Sequence, residues 1–337
     1  MRTGEKMAEI QYSYYRKRGD YSDNPVIQDT MDISKYLLGK YSILNGKFNG
    51  HSLNKKEKDF YSSFYKIALE ENGNKMYVCS SAYQDAESSY KTIISFALGM
   101  LATRTVATKK YDVVLLLHLK DHSIQRNPPK GQVPDWFGID KHGKAFLFES
   151  KGSVETSISP KTLKNAKKQL TSVKSITVKW GNKQPKTYIA AEIEKHAIVS
   201  CFRYDHQNNV RNKWNFHDID PEGEAVVDIT INLDKECFKY YRAFLDFLDS
   251  YKKSYEENVV MIDQQKYCFL EDGLEKFGIH KGIYDAVVSK KYTEENDYIN
   301  FYEDIKKILS EIKCDKYMED SSSYEDGIIV CSSEKRF

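Results

Sequence analysis

The sequence predicts an α/β protein, because strand-like and helix-like apolar patterns alternate through the middle of the chain. Residues 113–117 form a continuous apolar run, and two aromatic-rich runs follow at 136–139 and 145–148. Short apolar runs bounded by turn residues are typical of strands. Apolar residues at helical spacing lie on either side of these strands, at 82–106 and 160–173. We therefore place the core of the protein in this region.

The two aromatic-rich strands are expected to pair as a hairpin. Residues 140–144 join them, and Gly143 suits the left-handed position that closes a three-residue loop. Counting outward from this loop places Asp135 opposite Glu149, with Cβ atoms about 4.5–5.5 Å apart. Lys151 lies two residues after Glu149 and so points to the same face of the strand. The hairpin therefore brings two carboxylates and one lysine together.

These three residue types suit the hydrolysis of a phosphodiester. Asp135 and Glu149 could share one Mg²⁺ or Mn²⁺ ion, because carboxylate oxygens are preferred ligands of these cations. A metal-bound water can become the nucleophile once the metal lowers its pKa. Lys151 could orient or deprotonate that water, or neutralise charge that builds on the phosphate. The alternative is a surface hairpin with scattered charges.

Pro134-Asp135 followed by Glu149-Ser150-Lys151 resembles the signature of the PD-(D/E)xK phosphodiesterase superfamily, which has the restriction-endonuclease-like fold. The resemblance covers residues 82–205 and identifies no subgroup. It implies a mixed central sheet flanked by helices and a metal-dependent nuclease, with endonuclease activity on DNA favoured. It also implies a possible role in bacterial defence against phage.

The resemblance suggests two further site residues. Glu87 matches an acidic residue that the first core helix often contributes, and it would be an additional metal ligand. An exposed glutamate at a helix N-terminus explains it equally well. Gln169, on the helix after the hairpin, matches a glutamine that supports the site in many members, although a solvated helix edge is the alternative. His118 ends the strand at 113–117 and could assist, but a lone histidine there is more often structural.

A basic segment follows the hairpin. Residues 156–191 contain eight lysines and no acidic residue. Such a patch suits nucleic-acid phosphates, which it would bind independently of sequence and in a salt-dependent way. A solvated helix and hairpin would show the same charges, and Trp180 could either stack on a base or pack in the core. The lysines assigned to nucleic-acid binding are Lys161, Lys164, Lys167 and Lys168.

The chain of 337 residues is divided into three predicted regions. Residues 1–80 form an N-terminal accessory region, residues 81–233 the nuclease core, and residues 234–337 an acidic, mostly helical region. Of the net charge of +2, residues 254–337 carry −8 and the remainder +10. The acidic part could shield the basic groove or contact a partner protein, and it could equally be an ordinary helical domain. Helices are predicted at 55–71, 234–255 and 295–313, and a last strand at 327–331.

Composition excludes several classes of protein. No apolar run approaches the roughly 20 residues that span a membrane, and the first residues lack the apolar segment of a secretory signal. The six cysteines show no Cys-x-x-Cys spacing, so neither a zinc site nor a disulfide framework is indicated. A reducing cytoplasm fits best. A homo-oligomer, an RNA-directed nuclease and a non-cutting nucleic-acid-binding scaffold stay open as alternatives.

Overall fold

The computed structural model describes residues 8–15, 25–45, 54–71, 77–155, 158–204, 210–218, 224–249, 259–262, 265–272, 275–289, 298–312 and 326–332. These residues form an α/β fold with three sheets. The strands are β1 Ala8–Tyr15, β2 Ile27–Ile33, β3 Leu69–Glu71, β4 Tyr77–Cys79, β5 Val113–His118, β6 Gln125–Asn127, β7 Trp136–Asp140, β8 Ala145–Gly152, β9 Val173–Lys179, β10 Lys186–Ile189, β11 Glu194–Tyr204, β12 Val210–Asp218, β13 Val227–Asn232, β14 Val259–Ile262, β15 Gln265–Asp272, β16 Glu275–His280 and β17 Ile328–Ser332. The helices are α1 Lys35–Asn45, α2 Lys55–Ala68, α3 Ser81–Gln84, α4 Ser88–Tyr111, α5 Pro160–Thr171, α6 Leu233–Asp249, α7 Lys281–Val288 and α8 Phe301–Glu311.

The largest sheet is mixed, as the sequence predicts. Its strand order is β2-β1-β12-β11-β8-β7-β5, and the β3–β4 pair joins it at β12. The pairs β1–β12 and β8–β11 are parallel, whereas β11–β12, β7–β8, β5–β7 and β1–β2 are antiparallel. Because β1, β2 and β4 belong to this sheet, it crosses the predicted boundary at residue 80.

The two faces of this sheet are covered by different layers. Phe146 and Phe148 of β8 lie in the hydrophobic cluster that α4 completes. Leu147, on the opposite face, packs with α5 and with a second sheet of order β10-β9-β13-β6. Since side chains alternate along a strand, Glu149 and Lys151 share the face of Leu147. The catalytic candidates therefore face α5.

The backbones of helix α4 and strand β8 are in direct contact, because each element has a glycine there, Gly99 on α4 and Gly152 on β8. A Cβ added to Gly99 would lie 2.6 Å from the carbonyl carbon of Lys151. A Cβ added to Gly152 would overlap the carbonyl oxygen of Ser95. Only residues without a side chain fit here, so these two glycines fix the distance between the helix and the strand that carries Lys151.

Helix α5 begins as the sequence predicts and ends earlier. Ser159 is the N-cap, its hydroxyl accepts the N–H of Thr162 at 3.2 Å, and Pro160 occupies the first turn. The predicted apolar stripe extended to Val173, but the helix ends at Thr171 and Val173 begins β9 instead. A buried valine suits either pattern, and its β-branched side chain favours the strand.

The C-terminal region contains a third sheet that the description "mostly helical" misses. Strands β14-β15-β16-β17 form an antiparallel sheet that packs with α6, α7 and α8. Of these strands, only the last was predicted. Lys40 of α1 reaches this region, where its Nζ donates to Asp326 Oδ1 at 2.5 Å. Tyr240 of α6 donates to the other oxygen of Asp326 at 2.7 Å.

The remaining helix predictions are confirmed in their middle parts but not at all of their ends: residues 69–71 form β3, and α8 begins only at Phe301. The predicted helices at 55–71, 234–255 and 295–313 correspond to α2, α6 and α8. Residues 250–258, 290–297 and 313–325 lie outside the described part of the chain. Among the described helices, none is long and apolar enough to cross a membrane.

Candidate active site

The hairpin has the predicted register. Trp136 pairs with Phe148, and Ile139 pairs with Ala145. At the loop, the Asp140 N–H donates to the Lys144 carbonyl at 3.1 Å. Gly143 has a φ of +80° and closes the turn. These pairings place Asp135 directly opposite Glu149, just beyond the last paired residues of the two strands.

The two carboxylates lie side by side in the interior. Asp135 directly precedes β7 and is 5% exposed, while Glu149 is 1% exposed. The Asp135 backbone N–H donates to Glu149 Oε2 at 3.0 Å. In return, the Ser150 N–H donates to Asp135 Oδ2 at 2.9 Å. Each acid is thus held by a backbone group of the other strand, which fixes the orientation of both.

Two lysines bind the remaining carboxylate oxygens. Lys120 Nζ donates to Asp135 Oδ1 at 2.6 Å, and Lys151 Nζ donates to Glu149 Oε1. The cluster therefore balances two negative charges with two positive ones. This balance offsets the desolvation cost of burying carboxylates.

Glu149 is the residue whose protonation the site alters most clearly. Burial, followed by the negative charge of Asp135, raises the pKa of its carboxyl to about 7, while Lys151 and Lys120 act in the opposite direction. Two carboxylates that share a dry site resist simultaneous ionisation. Without a cation, Glu149 consequently keeps its proton to a higher pH than an ordinary glutamate does.

Gln169 belongs to the site. Its Oε1 accepts a hydrogen bond from Lys151 Nζ at 3.3 Å, and its Nε2 donates to the Val133 carbonyl at 3.4 Å. Helix α5 therefore reaches the hairpin through this side chain, and the solvated-edge alternative does not describe it. Gln169 thus gives Lys151 a second hydrogen-bond acceptor besides Glu149.

Glu87 is not placed with these residues. It is the N-cap of α4, where its carboxylate accepts the Ser89 N–H at 2.8 Å and the Ser88 hydroxyl at 2.6 Å. Ser95, which touches Gly152, lies eight residues further along, or about 12 Å of helix rise. These hydrogen bonds lower the pKa of the exposed Glu87 carboxyl. The geometry favours the capping alternative over the metal ligand.

Lys120 is a site residue that the sequence analysis missed. It follows β5, whose last residue, His118, pairs with Trp136. His118 Nδ1 accepts the Lys120 N–H at 3.2 Å, and burial lowers the pKa of the imidazole to about 4. A neutral His118 therefore anchors the turn that carries Lys120, which fits the structural alternative for this histidine. Lys120 could have been placed in the site only if the pairing of β5 with β7 had been predicted.

Ser150, between the two motif residues, points to the other face of the sheet. Its hydroxyl accepts the Trp136 Nε1–H at 3.0 Å and donates to Thr103 Oγ1 of α4 at 2.8 Å. The Arg104 guanidinium lies over the Trp136 ring at 5.4 Å. The hairpin is thus fastened to α4 behind the carboxylates.

The lysines of α5 lie on the helix that supplies Gln169. Trp180 packs against the cluster of Leu147 and contacts Tyr302 edge to face, with ring centroids 6.4 Å apart, so core packing describes it. Of the predicted nucleic-acid-binding residues, Lys161, Lys164 and Lys168 are exposed and Lys167 is half-buried.

The two carboxylates suit a Mg²⁺ or Mn²⁺ ion that keeps most of its water ligands when it binds. The described residues contain no group of three or more histidine, cysteine, aspartate or glutamate side chains arranged to hold a metal. Mg²⁺, however, commonly uses one or two carboxylates, with water and substrate phosphate as its other ligands. Asp135 and Glu149 fit that arrangement.

Comparison with protein-family models, with curated proteins and with solved structures gave no match to this chain.

Proposed function

We propose that the protein is a metal-dependent nuclease of the PD-(D/E)xK type, with endonuclease action on DNA favoured. One observation carries the proposal: the Asp135 N–H donates to Glu149 Oε2 across the hairpin, so the two acids adjoin, and Lys151 contacts Glu149 from the same face. A surface hairpin with scattered charges would not bury two carboxylates in this way.

The surrounding layers support the proposal. The implied restriction-endonuclease-like core is a mixed sheet with helices on both faces, and here the strands β8 and β11 each contact both α4 and α5. Resemblance of a fold does not establish an activity. The site residues and their contacts therefore bear most of the argument.

Each side chain has a specific role in this proposal. Asp135 and Glu149 would hold Mg²⁺ or Mn²⁺, which supplies Lewis-acid activation of water and charge neutralisation at the phosphate. Lys151, oriented by Gln169, would position the attacking water and stabilise negative charge on the phosphate. The ammonium can do both because the Lys151 side chain is 21% exposed, unlike the acid beside it.

The lysines of α5 would bind the substrate backbone. They are carried by the same helix as Gln169, so a strand bound along α5 would pass the carboxylates. DNA is favoured over RNA by the resemblance. A role in defence against phage is proposed on the same basis. A cytoplasmic location is proposed from the cysteine pattern, and a protein partner or homo-oligomer is proposed because the acidic C-terminal part could contact one.

Cleavage assays with matched variants test the proposal. Supercoiled plasmid and a structured RNA are incubated with the purified full chain and with Mg²⁺, Mn²⁺ or EDTA. The variants are Asp135→Asn and Lys151→Met. Lys141→Met is the control. Lys141 also forms an ion pair with an aspartate, with its Nζ 2.9 Å from Asp112 Oδ2, but it lies on the hairpin loop, away from the carboxylates.

We expect Mn²⁺- or Mg²⁺-dependent cutting that falls by at least about 100-fold in both site variants and that the control retains. Cleavage of RNA in preference to plasmid would support the RNA-directed alternative. Nucleic-acid binding without cutting in any metal would support the scaffold alternative, and unaltered cutting by Asp135→Asn would refute the assigned site.

A further inference from the structure

We propose that Lys120 is a displaceable placeholder for the divalent cation: it neutralises Asp135 in the metal-free protein and releases it when the cation binds. This inference rests on the proposed function and concerns the regulation of the same site. It adds to the motif a second lysine, supplied by a different part of the sheet.

The hydrogen bonds of the two carboxylates show which ligands can leave. Asp135 Oδ2 and Glu149 Oε2 accept backbone N–H groups, from Ser150 and Asp135 respectively. Those donors belong to the hairpin strands and stay in place while the sheet is intact. The other two oxygens bind ammonium groups, of Lys120 and Lys151. A cation that bridges the acids must compete with these ammonium groups.

The net charge of the cluster also favours release of a lysine. Two carboxylates and two ammonium groups sum to zero, so adding a divalent cation to the intact cluster leaves two positive charges in a largely buried space. Like charges a few ångström apart repel strongly in such a poorly solvated space. Release of one lysine from the carboxylates is therefore expected when the cation binds.

Lys120 is the lysine that can leave more easily. Its side chain is 41% exposed, whereas that of Lys151 is 21% exposed. Lys151 also donates to Gln169 at 3.3 Å, which holds it within the site. The Lys120 stem is long and flexible, so its ammonium can move into solvent at little cost.

The backbone beside Lys120 keeps the released side chain near the site. The Leu119 N–H donates to the Asp135 carbonyl at 2.8 Å, and the Lys120 N–H donates to His118 Nδ1 at 3.2 Å. The turn therefore stays attached to the same aspartate that the side chain leaves. A freed ammonium on this turn would face the anionic substrate, which links occupation of the metal site to capture of the phosphate.

Binding of Mn²⁺ to the metal-free full chain tests the inference without relying on activity. The dissociation constant is measured at pH 8, by titration calorimetry and by the electron paramagnetic resonance signal of free Mn²⁺. Wild type is compared with Lys120→Met, with Lys120→Arg, which keeps the charge, and with Lys141→Met as the distant control. Lys120→Gln is a second neutral variant, and circular dichroism confirms that each variant is folded.

We expect Lys120→Met and Lys120→Gln to bind Mn²⁺ at least about 10-fold more tightly than wild type, because a competing cation has been removed. Lys120→Arg and Lys141→Met should stay within about 2-fold of wild type. If the neutral variants bind Mn²⁺ equally or more weakly while wild type cuts DNA, Lys120 is a structural ion pair and only this inference fails. If wild type neither binds Mn²⁺ at millimolar concentration nor cuts, the proposed function fails with it.

Discussion

Gly152 lies against the backbone of Ser95, so closely that a Cβ at position 152 would overlap the Ser95 carbonyl oxygen. This contact sets the spacing between α4 and the end of β8, one residue beyond Lys151. The distance between α4 and the strand that carries Glu149 and Lys151 therefore depends on Gly152, which contacts neither carboxylate.

Gly152→Ala is expected to destabilise the protein by about 1–3 kcal/mol, the usual result of overpacking a tight interior contact. Chemical denaturation monitored by fluorescence provides the measurement. Gly282→Ala is the matched control, because it lies in helix α7 and a Cβ there would meet its nearest neighbours, atoms of the His280 ring, at 3.3 Å. Equal stability of Gly152→Ala and wild type would show that α4 can move away freely.

Glu149→Gln should change how stability depends on pH. The pKa of Glu149 is raised to about 7 in the folded protein, whereas an unfolded glutamate titrates near 4.3. The protonated acid therefore favours the folded state below the unfolded pKa, and this contribution is lost as pH rises toward 7. Wild type should lose on the order of 1–3 kcal/mol over that interval in EDTA, and Glu149→Gln should not.

The difference is measured as the melting temperature of both proteins from pH 4.5 to pH 8. Parallel curves would contradict the raised pKa. In wild type, Mn²⁺ affinity should increase as pH rises through about 7, because the cation binds the ionised carboxylate and must displace the proton.

Gln169→Leu should lower kcat about 10-fold or more and leave KM nearly unchanged, because Gln169 orients Lys151. Gln169→Glu keeps an acceptor for the Lys151 ammonium and should recover part of the rate. Steady-state cleavage of a labelled oligonucleotide gives both constants. A change confined to KM would instead assign Gln169 to substrate binding.

Replacing the exposed lysines of α5 should weaken substrate binding through charge alone. For Lys161→Ala, Lys164→Ala and Lys168→Ala, the slope of log affinity against log salt should become shallower by about 0.9 for each phosphate of duplex DNA that the variant no longer neutralises. Fluorescence anisotropy in a salt series measures the slope. Lys307→Ala, on the exposed face of α8, should leave the slope unchanged.

A second ionisable cluster predicts an independent effect on stability. His196 Nδ1 lies 2.7 Å from Asp218 Oδ1, and Glu194 Oε2 lies 3.6 Å from Nε2. Burial alone would lower the pKa of His196, but the hydrogen bond to Asp218 and the nearby Glu194 carboxylate outweigh burial and raise it. This stabilisation is complete below about pH 6.5 and is lost as pH rises through the folded pKa.

Asp218→Asn should therefore destabilise the protein by about 1–3 kcal/mol at pH 6 and by less at pH 9. Thermal unfolding at the two pH values is the measurement. A penalty that is equal at both would indicate that His196 stays neutral and that Asp218 acts only as a hydrogen-bond acceptor.

The part of the site that could be predicted from the sequence is the part made by local geometry. The loop around Gly143 fixes the hairpin register, and the register fixes the neighbours of Asp135 and Glu149. Gln169 is suggested by the resemblance, and its place at the edge of the apolar stripe of α5 follows from helical periodicity once the start of the helix is known. These relationships depend on residues close together in sequence, for which spacing is a sufficient guide.

The features that the sequence did not predict have separate physical causes. Lys120 reaches Asp135 because β5 lies beside β7, with His118 opposite Trp136, and apolar runs do not specify which strands become neighbours. The C-terminal sheet was missed for a different reason: β14, β15 and β16 pair as consecutive hairpins, and charged residues interrupt their short apolar runs, so that the strand pattern is weak. Glu87 was ambiguous because an acid at a helix start can act as a cap or as a ligand.

The first described strand of the chain pairs with one made much later. Tyr12 of β1 lies beside Trp214 of β12, about 200 residues away. At a synthesis rate of about 5–20 residues per second, that interval lasts about 10–40 s. The β7–β8 hairpin joins close neighbours and can form within it, whereas β1 and β2 must wait with an unpaired edge, a known aggregation hazard. During translation, β1 and β2 are thus made before the hairpin but are among the last strands to enter the sheet that supports the carboxylates.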